Sequence, residues 1–172
     1  EQSDLIKVYV RDVKRDKKGP KIIVSRIDPE FVLGLLELEV PEIENGIIEV
    51  VKVVREPGIR TKMAVVSHDP KIDPVGSCIG HEGSRIASVL KELRGEKLDV
   101  IKWSDDPKEL IANALLPASV VDVEILDYEA RASRVLVSPN QLSLAIGKAG
   151  QNARLAAKLT GWKIDIKPVM NV

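Results

Sequence analysis

Gln141 to Leu159 reads QLSLAIGKAGQNARLAAKL, where two glycines separated by two residues break an otherwise helical apolar pattern. Before the break, Leu142, Ala145 and Ile146 recur at helical spacing, and after it Ala153, Ala156, Ala157 and Leu159 line one face. The spacing predicts helix, tight turn, helix. Gly147 and Gly150 lack a Cβ, so the chain can turn sharply there and a second backbone can come close. That second backbone need not be protein.

The pattern occurs twice. Val75 to Leu93 reads VGSCIGHEGSRIASVLKEL, and its Gly80-His81-Glu82-Gly83 lies 67 residues before Gly147-Lys148-Ala149-Gly150. Ile79 corresponds to Ile146, Ser77 to Leu144, Arg85 to Asn152 and Ile86 to Ala153, so the register holds at the turn and loosens away from it. A repeat of this length, each copy with its own strands, predicts two small domains in tandem rather than a short-period solenoid.

The flanking segments give each copy the same order of elements. Asp28-Pro29-Glu30 combines a side-chain cap, a proline at the first helical position and an acid in the first turn, so a helix starts there and runs through Phe31, Val32, Leu35 and Leu36. It ends or kinks near Val40-Pro41, with a short further turn over Glu42 to Gly46. Ile47 to Arg55 and Arg60 to Ser67 read as strands joined through Glu56-Pro57-Gly58. Pro70 to Pro74 is a loop, and a strand over Lys97 to Trp103 follows the first glycine turn. Asp105-Asp106-Pro107 starts the second copy by the same cap-and-proline logic, with a helix to Leu116, strands over Val120 to Leu126 and Arg131 to Val137, the second glycine turn, and a strand over Lys163 to Pro168. Ahead of both copies, IKVYVRDV alternates as a strand, turns through Lys17-Lys18-Gly19-Pro20 and returns as KIIVS, a hairpin too small to be stable alone.

The chain has 172 residues, 44% of them hydrophobic, which suits a globular fold of one large domain or two small ones. No run approaches the roughly 18 apolar residues that span a bilayer, and Glu1-Gln2-Ser3-Asp4 is unlike a signal peptide, so a cytoplasmic location is expected. The sequence begins without Met and reads as a fragment. Its single Cys78, between Ser77 and Ile79, reads as a buried small hydrophobe rather than a reactive thiol.

Charge is balanced overall, with 26 basic and 26 acidic residues, but segregated along the chain. Asp28 to Val50 holds seven acidic residues and no basic one, a run that reads as a solvated face. Gln141 to Val172 holds Lys148, Arg154, Lys158, Lys163 and Lys167 against Asp165 alone. Eight basic residues between Lys7 and Arg26 could face RNA or serve to keep a sheet edge from aggregating.

Catalysis finds no support in these residues. A nucleotide phosphate loop would need a glycine where Leu142 stands and Ser or Thr where Ala149 stands. His68 and His81 have no Cys partners at metal spacing and read as exposed loop residues. No nucleophile and base are paired, and neither a metal nor a cofactor is expected.

An apolar residue followed by Gly-x-x-Gly between two helices, beside a three-stranded sheet, resembles the K-homology (KH) domain in its bacterial, type II arrangement. The strings EVPEI, REPGIRTKMAV, DPVGSCIGHEGSRI, ELRGEKLDVIKW and QLSLAIGKAGQNARLAAKLTGWKIDI resemble the NusA family of bacterial transcription factors over essentially the whole chain. The resemblance implies an α+β fold. Residues 1–27 would be the last strands of an OB-type barrel, 28–104 a first KH domain and 105–172 a second. The start of that barrel and a polymerase-binding domain would lie outside this sequence.

The resemblance also implies single-stranded RNA as ligand, RNA polymerase and other transcription factors as partners of the full-length protein, no membrane partner, and a monomer. Nascent RNA would be gripped to modulate pausing, termination and antitermination. Carried over by position, the first grip is Ile79, Gly80, His81, Glu82 and Gly83, with Ser84 and Arg85 at the helix start. The second is Ile146, Gly147, Lys148, Ala149 and Gly150, with Gln151, Asn152 and Arg154. Glycine amides at a helix start are expected as free donors to phosphate, and KH loops clamp about four nucleotides this way. With 3% aromatic residues, bases would lie on an aliphatic groove including Ile79 or Ile146. Glu82 departs from the basic residue usual between the glycines, so the second loop is expected to hold phosphate more strongly.

The rival is a KH-type protein-interaction or ribosome-associated scaffold module, without a direct RNA grip in the first copy. Salt-dependent binding of single-stranded RNA separates the two.

Overall fold

The computed structural model describes residues 2–170; residues 1, 171 and 172, at the outer ends of the first and last expected domains, lie outside the described residues. The amino-terminal hairpin forms as expected, with its first strand running three residues later in the chain. Strands β1 (Tyr9–Asp16) and β2 (Gly19–Ser25) pair antiparallel, and Asp16 is already matched to Gly19, so the turn is only Lys17-Lys18. The hairpin is a separate two-stranded sheet, with Val10, Val13, Ile22 and Val24 each half or more exposed. Only Tyr9 packs against the first core.

Each copy of the repeat then builds a three-stranded mixed sheet with helices against it. In the first, α1 (Pro29–Glu39) and α2 (Pro41–Glu44) precede β3 (Ile48–Glu56) and β4 (Arg60–Ser67), and α3 (Pro74–Ile79) and α4 (Ser84–Leu93) flank the glycine turn before β5 (Lys97–Lys102). In the second, α5 (Pro107–Ala114), β6 (Asp122–Asp127) and β7 (Ala132–Val137) precede α6 (Leu142–Ile146), α7 (Gln151–Thr160) and β8 (Lys163–Pro168). The sheet orders are β3-β4-β5 and β6-β7-β8, the first pair antiparallel and the second parallel in both. The parallel pairs need a crossover, which the helix-turn-helix supplies.

Carboxylates start the helices. Asp28 Oδ1 accepts the Glu30 amide and Asp106 Oδ1 the Lys108 amide, both at 3.0 Å. Asp73, assigned to a loop from sequence, caps α3 by accepting the Val75 amide at 3.1 Å. That cap leaves no room at Gly76, where a Cβ would lie 2.6 Å from Asp73 Oδ2.

Successive residues of a strand point to opposite faces. Met63 and Val65 on β4, with Leu98 and Val100 on β5, join Val32, Leu36, Ile48 and Val89 in the first core. The alternate residues Ala64 and Ile101 belong to the second core, with Ile111, Leu115, Val135, Ala156 and Leu159. Strand β4 at the centre of the first module's sheet is therefore buried on both faces, by its own helices and by the second module. Trp103 continues the strand by donating its amide to Val65 O at 2.8 Å and packs on the second core.

Candidate nucleic-acid interface

The two glycine turns have the same backbone. Gly80 lies at φ 79°, ψ 172° and Gly147 at 78°, 167°; Glu82 at 51°, 29° and Ala149 at 53°, 27°; Gly83 at 74°, 16° and Gly150 at 73°, 14°. The first glycine of each pair occupies a region open essentially to glycine alone. A Cβ there would sit 2.7 Å from Arg85 Cγ in the first turn and 2.8 Å from the Asn152 amide nitrogen in the second. The last glycine needs only its positive φ, since a Cβ at Gly150 meets nothing within 4 Å and one at Gly83 meets only Ile86 at 3.9 Å. Glu82 and Ala149 hold a left-handed conformation that costs side-chain-bearing residues energy, a feature that clusters at ligand-holding turns.

The amides expected to face a ligand change with the structure. Those of Gly80 and Gly147 close the preceding helices on Gly76 O and Ser143 O, and those of Gly83 and Gly150 close a 3₁₀ turn on Gly80 O and Gly147 O at 3.1 Å. The next amides, of Ser84 and Gln151, reach His81 O and Lys148 O. The amides of the two residues between the glycines, His81 and Glu82, Lys148 and Ala149, take no part in these closures. The glycines shape the turn and their neighbours offer the hydrogen bonds. His81, Glu82, Ser84, Lys148 and Ala149 are exposed, and Gly83, Gly150 and Gln151 are partly covered.

Three residues expected at RNA also brace the turns from within the protein. Arg85 lies under Gly80 and donates to Ser77 O at 2.8 Å and to Glu42 Oε2 at 2.9 Å, anchoring the turn to α2. Asn152, its counterpart, is buried at 2% exposure and donates Nδ2 to Leu115 O and Ala145 O, both at 3.0 Å. Among the described residues its Oδ1 is a buried acceptor without a partner. Arg154 forms a two-pronged pair with Glu56, Nη2 to Oε2 at 3.0 Å, while its Nη1 reaches Ala149 O at 3.2 Å. The hydrogen bond from Arg154 holds the Glu56 carboxyl below the ordinary carboxylate range, and Arg154 is correspondingly raised.

Two shallow clefts lie near the junction of the modules, one of them against the second turn. One, of about 390 Å³, runs between Gly58, Ile59, Arg60 and Lys97 of the first module and Leu144, Gly147, Lys148 and Gln151 of the second. The other, of about 480 Å³, shares Arg60 and Lys97 and continues over Leu90, Leu98 and Pro117. Neither is lined by an aromatic ring. Leu144, 41% exposed, and Ile146, 37% exposed, supply aliphatic surface beside the second turn, and half-buried Ile79 does so at the first. Sequence reasoning missed Arg60 and Lys97, because their nearness to Lys148 depends on how the modules pack.

The remaining candidates are unremarkable chemically. Burial pushes the Cys78 thiol up to about 11, so it stays protonated at neutral pH. His68 Nε2 lies 2.9 Å from Glu49 Oε2 on the surface, and His81 is exposed. Among the described residues no group of three or more His, Cys, Asp or Glu could hold a metal ion, and no helix is long and apolar enough to cross a membrane.

Comparison with known proteins agrees with this geometry module by module. Residues 26–103 match the family model of the NusA-like first KH domain, and residues 107–172 that of the NusA-like second KH domain. The chain belongs to the NusA family. It is 56% identical over 164 residues to the transcription termination/antitermination protein NusA of Bacillus subtilis (strain 168), an alignment covering 95% of this chain and 44% of that protein. NusA of Thermus thermophilus is 55% identical over 162 residues, covering 94% of this chain and 42% of the relative. The chain thus spans less than half the length of these NusA relatives. The crystal structure of APE1850 shares the fold, with a TM-score of 0.56 at 22% identity over 79% of this chain and 95% of that one.

Proposed function

We propose that this chain is the RNA-gripping region of a NusA-type transcription factor, holding single-stranded nascent RNA while the full-length protein modulates pausing, termination and antitermination by RNA polymerase. In this reading the protein is a cytoplasmic monomer and not an enzyme. Residues 1–27 are the last strands of an OB-type barrel, 28–104 the first KH domain and 105–172 the second.

The observation that carries the reading is the repetition of one strained turn, at matching dihedrals, with two amides in each copy that take no part in closing it. Such donors, at the start of α4 and of α7, suit a phosphate oxygen. Bases would then lie on the aliphatic surface of Ile79 in one module and of Leu144 and Ile146 in the other. Because Ala64 and Ile101 of the first module pack into the second core, the two grips would be held in fixed relation and form one track. Ile79 to Ser84 and Ile146 to Gln151 would touch RNA, while Arg85, Asn152 and Arg154 would hold the turns from behind.

Replacing Lys148 and Ala149 together by aspartate puts two anions where a phosphate would sit, on side chains that are exposed. Titration with single-stranded RNA should lose the second module's contribution while the circular dichroism spectrum stays native. Unchanged affinity would remove this turn from the RNA site. Wild-type binding should weaken with salt at a slope of about −0.7 per phosphate neutralised; no binding at any salt would favour a protein scaffold instead.

A further inference from the structure

Lys62 is a lysine with no exposed surface, placed on β4 between buried Thr61 and Met63, the latter in the first core. Its side chain points the other way, toward the second module. There Nζ donates to Asp99 Oδ2 at 2.8 Å, its cross-strand partner in the parallel β4–β5 register, and to Leu116 O at 2.6 Å. Arg60 Nη1 binds the same carboxylate at 2.6–2.7 Å. Burial pushes the Lys62 ammonium below the ordinary lysine range, while Asp99 opposes that shift.

Lys62 does not simply close a charge pair, since Asp99 already has Arg60. Its other bond crosses to the second module. The carbonyl next to the one it holds, Leu115 O, is taken by Asn152 Nδ2, which also binds Ala145 O in α6. Asn152 is the residue whose amide nitrogen and Cβ lie directly under Gly147, at 2.8 and 2.9 Å from where a Cβ would be. The segment 115–116 is therefore gripped on adjacent carbonyls, by the first module's sheet and by the second turn's support.

Among the described residues the first turn has no such line to its neighbour. Its support, Arg85, ends on Ser77 and Glu42, both within its own module. We infer that Lys62 and Asn152 are positioning residues for the second grip, through which the first module's sheet sets where the turn Gly147–Gly150 stands. This rests on the proposed RNA track for its purpose, and on the hydrogen-bond geometry alone for its existence. Losing the Lys62 bond frees segment 115–116 to shift, and Asn152 transmits that freedom to the turn. An RNA strand engaged at both turns would then lose the fixed spacing that makes the second contact intramolecular.

The test uses the whole chain with Lys62→Met, and Asn152→Ser as a second variant cutting the line at its other end. Hydrogen exchange without RNA compares the bonded amides of Gly147, Gly150 and Gln151 with the equivalent amides of Gly80, Gly83 and Ser84. Either variant should speed exchange at the second turn and leave the first unchanged. Equal acceleration at both turns would mean general destabilisation, and no acceleration in a folded variant would mean no line; each overturns the inference. The second readout is the ratio of affinities for a single-stranded RNA of roughly twelve nucleotides, able to reach both turns, and one of about four, filling one. Lys62→Met should lower that ratio about tenfold with short-strand affinity nearly unchanged. An unchanged ratio alongside faster exchange would overturn the link to RNA spacing. If wild-type protein binds neither RNA, the proposed function fails, and exchange still decides whether the line exists.

Discussion

Gly147 and Gly150 sit three residues apart and answer to different constraints. At Gly147 both the backbone region and the Asn152 amide nitrogen 2.8 Å away exclude a methyl group, whereas Gly150 has only its positive φ and open space around it. Strain of the first kind costs of order 1–3 kcal/mol before any clash is counted; the second costs roughly 1–2 kcal/mol. Gly147→Ala should therefore lower the melting temperature clearly more than Gly150→Ala, by about 2–4 °C for each further kcal/mol in a chain of this size. Equal shifts would mean that Asn152 does not press on the turn. Between the glycines the copies differ in charge, with Glu82 in one and Lys148 in the other. Surface charges are screened within about 8 Å at physiological salt, so the effect on RNA should be moderate and larger at low salt. Glu82→Lys should raise RNA affinity and steepen its salt dependence, and Lys148→Glu should do the reverse. A folded Glu82→Lys protein that binds more weakly would show Glu82 reading a base or orienting a neighbour.

At the scale of elements, local chemistry decides where helices begin. Asp106 caps α5 through the Lys108 amide, and Asp105 beside it instead accepts from Trp103 Nε1 at 3.2 Å. Asp106→Ala should cost about 1 kcal/mol, and Asp105→Ala less, as thermal unfolding would register; the opposite order would move the cap. Such starts are legible in sequence because cap and first turn are adjacent in the chain, and the second copy's expected succession of elements is the one found. Asp73 was missed because a loop reading of Pro70 to Pro74 hid a cap that works through the same proline rule. The strand β4 was also readable, but its two-sided burial was not. Thr61 to Val65 is buried throughout, and nothing local says that Lys62 and Ala64 face another module. The supporting roles of Arg85 and Arg154 were out of reach for the same reason. Their partners Glu42 and Glu56 lie 43 and 98 positions away, and an arginine near a phosphate-binding motif looks free until the chain is folded.

Over the whole molecule, the modules are joined by apolar and charged contacts together. Ala64 and Ile101 complete the second core, Lys52 Nζ donates to Lys158 O at 2.7 Å, and Glu56 holds Arg154. The two halves should therefore tumble as one body, and NMR relaxation giving separate correlation times would contradict this. The Glu56–Arg154 pair also fixes a sign for acid behaviour. Glu56 has its pKa lowered in the folded state by the Arg154 hydrogen bond, so its stabilisation is present above the unfolded value of about 4.3 and is lost as pH falls through the lower folded value. Glu56→Gln should flatten that part of the stability curve in acid and leave neutral pH less affected; an unchanged acid limb would mean that the pair adds nothing to folding.

The central claim is that two matching turns grip one RNA strand through the amides between their glycines. It is tested most directly by following backbone amide resonances of the intact chain during titration with a single-stranded RNA of roughly twelve nucleotides, enough for two clamps of about four. His81, Glu82, Lys148 and Ala149 should shift together along one binding curve, with Lys148 and Ala149 still responding at salt that releases His81 and Glu82. Binding that leaves these four amides unmoved, or that moves only one turn at every salt and strand length, would contradict it.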